Sequence, residues 1–140
     1  MRRRGFTIIE VAITLCILSI LSAIAIPRAG AFLDSIHVRG AVVEVESMFS
    51  SARHLAIARG ERAMVEVSSA TGLVTVSVDG VAERSRNVGM SHGVTLTATR
   101  PGMTYSPTGA GYGAANLSVV VRRKRSVDTV LVSRLGRVRH

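Results

Sequence analysis

Glu10 is the single carboxylate inside the one membrane-length apolar run of this 140-residue chain. From Phe6 to Ile26 every other residue is apolar or a small hydroxyl or thiol residue, and Pro27 closes the run. At about 1.5 Å of helical rise per residue the stretch reaches roughly 30 Å, enough to cross a bilayer. An ionised Glu in hydrocarbon costs on the order of a few kcal/mol. Its presence therefore calls for a cation.

The second concentration of chemistry lies at the far end. Arg122, Arg123, Lys124, Arg125, Arg134, Arg137 and Arg139 stand against Asp128 alone over the last nineteen residues. Such a density seeks an anion. In an extended strand Arg137 and Arg139 project to one side while Val138 faces the other, so the pair could grip successive phosphates. Arginines on a solvated turn, an acidic neighbouring protein and anionic lipid headgroups are the competing explanations. Tyr105 and Tyr112 are the only tyrosines and tryptophan is absent, so any nucleic-acid contact would be mainly electrostatic rather than stacked.

Other residues give no catalytic constellation, and the sequence reads as a non-enzyme without metal or cofactor. His37, His54, His92 and His140 lack metal-ligand spacing. Glu44 and Glu46 are two apart on a helix and face different ways. The Gly109-Ala110-Gly111-Tyr112-Gly113 stretch superficially resembles a nucleotide loop but has no following helix and no lysine of the P-loop kind. Asn116-Leu117-Ser118 matches a glycosylation acceptor and carries no weight here. Cys16, the only cysteine, sits within the apolar run, so no intramolecular disulfide can staple the rest.

The elements that must position these groups follow from periodicity. After the apolar run, Val38, Val42, Val45, Phe49, Ala52 and Ala56 step by three and four, with Ala41, Met48 and Leu55 widening the stripe. This predicts an amphipathic helix with Arg39, Glu46, Ser50 and Arg53 on its other face and a stop at Arg59-Gly60. Pro27, Gly30 and Gly40 predict bends where the helical parts join. From Ala63 the period becomes two. Val65 and Val67, then Val74, Val76 and Val78, predict a hairpin around Ala70-Thr71-Gly72. Asp79-Gly80 marks another reversal, Val94 to Thr97 a further strand, and Leu117 to Val121 with Thr129 to Ser133 a pair around a basic turn. The Gly/Pro/Ser/Thr-rich stretch from Arg100 to Ala115 reads as an exposed loop. The fold class is α+β, with a long N-terminal helix packed on an antiparallel β-domain. Its segments are a leader over 1–5, a transmembrane helix over 6–27, an amphipathic helix over 28–60 and the β-domain over 61–140.

Gly5-Phe6-Thr7-Ile8-Ile9-Glu10, an apolar helix and then Pro27 resemble the prepilin signature of type IV pilins and of the pseudopilins of type II secretion. Ile8 and Val11 stand where leucine is commoner, which alters shape but not hydrophobicity. Ser51-Ala52-Arg53, Ala56, Arg59-Gly60, the Val-rich hairpin and Val132-Ser133 followed by Gly136-Arg137-Val138-Arg139 narrow the resemblance to minor pilins and pseudopilins of the GspH/FimT type. The stretch from Val81 to Asn116 contributes nothing to it. The resemblance implies cleavage between Gly5 and Phe6 by a prepilin peptidase and methylation of the new amine of Phe6. It also implies pairing of Glu10 with the terminal amine of a neighbouring subunit, in a filament built mainly from another pilin. In pilus proteins of this kind a C-terminal Gly-Arg-x-Arg motif is associated with DNA uptake, which Gly136 to Arg139 fits.

These readings imply a single-pass inner-membrane protein. Arg2, Arg3 and Arg4 hold the N-terminus in the cytoplasm and send the residues after Pro27 to the periplasm. The implied partners are the peptidase, other pilin or pseudopilin subunits at a filament tip, membrane lipid and, on the alternative reading, duplex DNA. An ordinary secretory signal ending at Ala23-Ile24-Ala25, and a plain membrane anchor, fit the apolar run but leave Glu10 unexplained. Secretion pseudopilus and retractile pilus share the leader and helix and are not separated by these residues.

Overall fold

The computed structural model describes residues 5–112 and 116–140. The leader arginines Arg2, Arg3 and Arg4 and the end of the Gly-rich stretch, Gly113 to Ala115, lie outside the described residues. Residues up to Leu33 and residues Asp34–His140 form two compact units.

Helix α1 (Ile8–Arg59) contributes to both units and contains Pro27. Its start is fixed by Thr7. The Thr7 hydroxyl oxygen accepts from the Glu10 backbone N–H at 3.3 Å, and the Thr7 carbonyl accepts from that of Val11 at 3.2 Å. Thr-x-x-Glu is the sequence form of a capping box, in which the side chain before the helix satisfies an otherwise orphaned donor of the first turn. The apolar run then has a mean hydropathy of 2.5 over its best window and is long and apolar enough to cross a membrane. Two of its hydroxyls bond back to the preceding turn: Thr14 donates to the Glu10 carbonyl and Ser19 to that of Leu15 at 2.7 Å.

In the second unit the helix presents a buried stripe of Val38, Ala41, Val42, Val45, Met48, Phe49, Ala52 and Ala56. Against it pack two antiparallel sheets. The first contains β1 (Ala63–Ser68), β2 (Leu73–Val78), β3 (Val81–Asn87), β5 (Gly102–Tyr105) and β6 (Gly111–Tyr112), in the order β3-β2-β1-β5-β6. The second contains β4 (Thr95–Ala98), β7 (Leu117–Arg123), β8 (Ser126–Val132) and β9 (Val138–Arg139), in that order. A short helix α2 (Val88–His92) separates β3 from β4. The alternating valines behave as their period dictates: Val65, Val67, Val74, Val76, Val78, Val119, Val121, Val130 and Val132 all turn into one core with the helix stripe.

Besides the short helix α2, which the sequence reading did not expect, two strands depart from it. The expected loop from Arg100 to Ala115 instead supplies β5, which pairs directly with β1 and buries Met103 and Tyr105 in the core. Its alternation is only two residues deep and is flanked by Pro, Gly, Ser and Thr, so composition outweighed it. β3 carried no apolar period because every residue from Val81 to Arg86 is exposed. It is nonetheless anchored: Arg84 donates to the Ser51 hydroxyl at 2.9 Å, and Glu83 meets Arg59 at 2.5 Å. The register with β2 shifts between Val76 and Ser77.

One buried charge ties the helix to the second sheet. Asp34 is 7% exposed and accepts from Arg123 Nε at 2.8 Å, with Lys124 Nζ at 3.3 Å from its other oxygen. Arg123 also donates to the carbonyls of His92 and Gly93, which joins α2 to the same knot. The hydrogen bond from Arg123, joined by that from Lys124, holds the Asp34 carboxyl below its ordinary value of 3.8 although burial pushes the other way. A depressed carboxylate stabilises the fold above its unfolded pKa, about 3.9, and loses that contribution as pH falls through the folded value. We expect Asp34→Asn to lower the thermal midpoint at neutral pH, with the gap to wild type narrowing as the pH is taken below about 4; circular-dichroism melts of both proteins across that range check it.

Candidate functional site

The N-terminal group is simple in geometry. Gly5, Phe6 and Thr7 precede the helix, with Phe6 83% exposed. Glu10 occupies the third helical position, where the partial positive charge of the helix start favours an anion. Its side chain is exposed and meets no cation among the described residues. Sequence reasoning singled out Glu10 for its charge but missed Thr7, whose signal was the Thr-x-x-Glu spacing itself.

The basic residues fall into two groups rather than one. Arg122, Lys124 and Arg125 sit at or beside the β7–β8 turn, where Lys124 takes a left-handed φ of +50°. Arg134, Arg137 and Arg139 lie at the other end of β8. Seven residues of strand at about 3.3 Å each put roughly 20 Å between the groups. Arg123 belongs to neither. Its guanidinium is committed to Asp34, His92 and Gly93 inside the fold, which withdraws it from the set available to an external anion. The strand alternation carried this signal, since Arg123 continues the inward series Leu117, Val119, Val121.

The Gly136 turn explains how Arg137 and Arg139 come together. Ser133 and Arg137 close a tight reversal in which the Ser133 N–H donates to the Arg137 carbonyl and the Gly136 N–H to the Ser133 carbonyl, both at 2.8 Å. Gly136 has φ +75°, and a Cβ there would stand 2.6 Å from the Gly109 carbonyl oxygen. A three-residue connection ending in a left-handed glycine is a favoured hairpin form, and it needs glycine at that position. The Ser106-Pro107-Thr108-Gly109 reversal repeats the geometry, with Ser106 donating to the Ala110 carbonyl and Gly109 to the Ser106 carbonyl, again at 2.8 Å. The two turns end different sheets and are stitched by the Gly111 N–H donating to the Arg134 carbonyl at 3.0 Å.

Beyond the turn, β9 pairs with β8 through Val132↔Val138 and Leu131↔Arg139. Val138 is half-buried against the core, and Arg137 and Arg139 are exposed on either side of it. His140 closes the strand against the helix, its Nδ1 lying 2.9 Å from Glu46 Oε1. The Glu46 carboxylate raises the His140 pKa above 6.5. That contribution is complete below the unfolded value and lost as pH rises through the folded one. No cluster of His, Cys, Asp and Glu suited to a metal occurs among the described residues. Gly136→Ala should destabilise the protein by about 1–3 kcal/mol, since a side chain is both strained and obstructed there. Hydrogen exchange at the Ser133 and Gly111 amides should accelerate ahead of the β1–β2 amides.

The prokaryotic N-terminal methylation motif matches residues 1–26. No curated protein matches the chain by sequence. By structure, the chain is similar to the type IV minor pilin FimU of Pseudomonas aeruginosa, with a TM-score of 0.65 at 12% identity over 77% of this chain and 90% of that one. It is also similar to the minor pseudopilin EpsH from the type 2 secretion system of Vibrio cholerae, with a TM-score of 0.57 at 11% identity over 74% of this chain and 94% of that one. The chain thus joins an N-terminal methylation motif to the long-helix, antiparallel-sheet fold that minor pilins and minor pseudopilins share.

Proposed function

We propose that this chain is a minor pilin or minor pseudopilin, a structural subunit of low abundance that helps initiate or cap a filament of the type IV pilus or type II secretion kind. The observation that carries this reading is Glu10, held at the third position of a helix that begins two residues after the Gly5-Phe6 bond, within the span of the methylation motif. A prepilin peptidase cuts that bond on the cytoplasmic side and methylates the amine of Phe6. The apolar half of α1 then stores the subunit in the inner membrane, with Asp34–His140 on the periplasmic side.

On assembly, Glu10 meets the terminal amine of a neighbouring subunit. The pair neutralises a carboxylate that hydrocarbon alone would penalise, and it sets the register of one apolar helix against the next. Glu10→Ala should leave the protein cleaved, methylated and membrane-bound while cutting its recovery in sheared filaments about tenfold or more. Mass spectrometry of the mature N-terminus and immunoblotting of filament fractions read the two effects separately. A mature chain starting at Ile26 would overturn the whole reading, and normal incorporation of the variant would remove the role of Glu10.

A second reading, duplex-DNA binding by the basic tail, is favoured by the Gly136 turn, which sets Arg137 at the end of the turn and Arg139 in β9, on either side of Val138. Such positions suit successive phosphates better than base edges, so affinity should be electrostatic and weakly sequence-dependent. About three phosphate contacts give a log-log salt slope near −3 in a fluorescence-anisotropy titration, and Arg137→Ala with Arg139→Ala should abolish most of it. Binding unchanged by that double substitution would exclude the tail.

A further inference from the structure

The cleft beside the tail contains a cation that belongs to the helix. Ser50 and Arg53 of α1 line one wall and Arg137 and Arg139 the other, around a volume of about 350 Å³, with Gly136 and Val138 between them. Arg53 reaches this cleft because two glycines leave room. A Cβ at Gly109 would come within 3.1 Å of Arg53 Nε, and one at Gly136 within 3.5 Å. The twin turns thus meet around the Arg53 side chain.

The polar bookkeeping of this corner is incomplete. Arg53 Nε and the Tyr105 hydroxyl are both buried without a hydrogen-bond partner. Burial pushes the Tyr105 pKa up to about 12, so the hydroxyl stays a neutral donor at any physiological pH. Buried donors without acceptors carry an uncompensated desolvation cost. Glu46 also lines the cleft, but its carboxylate is engaged by His140 at 2.9 Å. The cleft is otherwise lined by the three arginines Arg53, Arg137 and Arg139 and the neutral Ser50, with Arg53 Nε packed beside Gly109 and Gly136.

We infer that Arg53, with Arg137 and Arg139, forms a phosphate-binding cleft between α1 and the Gly136 turn, in which the backbone of a nucleic acid seats one phosphodiester against the helix. This rests on the DNA reading of the tail and extends it: the tail grips along the strand, and Arg53 supplies a fixed point that sets its depth. An arginine held in place loses less entropy on binding than one free in solvent and can present two parallel donors to one phosphate.

Two measurements on the mature full-length chain in detergent micelles test it. In the first, the Arg Nε–Hε resonances are followed by NMR during titration with inorganic phosphate; the Arg53 signal should shift saturably. In the second, a short DNA duplex is titrated at several salt concentrations. Arg53→Gln should lower the magnitude of the slope by about 0.9, as loss of one phosphate contact does. Arg53→Lys should restore that slope at reduced affinity, because the charge returns without the fork. Should Arg53→Gln fail to fold, the NMR titration and the lysine variant still decide. An Arg53 signal indifferent to phosphate, or an unchanged slope in a folded Arg53→Gln protein, overturns the cleft. A phosphate-dependent Arg53 shift in a protein that ignores duplex DNA keeps the cleft and removes the nucleic acid as its ligand.

Discussion

Everything in the unit from Asp34 onward depends on burying one narrow stripe of α1. The stripe mixes Val38, Val42, Val45, Met48 and Phe49 with Ala41, Ala52 and Ala56, each at or near complete burial. The alanines matter as much as the larger residues, because they let the sheets come close to the helix while Phe49 and Met48 fill the space between. Without a disulfide, this contact and its counterparts on the strands supply the cohesion. The Asp34–Arg123 knot is secondary in energy but specific in position. It fixes which end of the helix meets which hairpin, a role for which a buried, hydrogen-bonded ion pair suits better than apolar contact.

The same stripe explains why the sequence was readable where it was. Val38 to Ala56 has a clean helical period, and the Val-rich strands have a clean period of two, since each element faces one core on one side only. β3 and β5 were illegible for opposite reasons. β3 is an edge with no buried side chain and so imposes no apolar pattern. β5 is central but contributes just Met103 and Tyr105, too few for a period to emerge from its Pro- and Gly-rich flanks.

At the sites, the sequence showed charge and hid commitment. It identified Glu10 and the seven basic residues by composition, yet composition cannot distinguish Arg123, locked onto Asp34, from Arg122 on the opposite face of the same strand. Nor could it bring Arg53 beside Arg137 across more than eighty positions of chain. That proximity is made by Gly109 and Gly136, whose left-handed turns from different sheets close on each other. Motif reading took Gly136 as part of a basic tag; the fold makes it the hinge that decides where the tag's arginines lie.

The edges of the two sheets carry a consequence for assembly. β3 is charged, bulged and pinned to the helix through Arg84 and Glu83, β6 and β9 are two residues long, and β4 is four. Among the described residues, charge and a bulge on β3 and the short length of the others make these edges poor templates for a strand of another chain. Copies crowded side by side are therefore protected from zipping their sheets together into an irreversible aggregate. What these edges leave for a neighbouring molecule to recognise is side chains rather than a strand to extend.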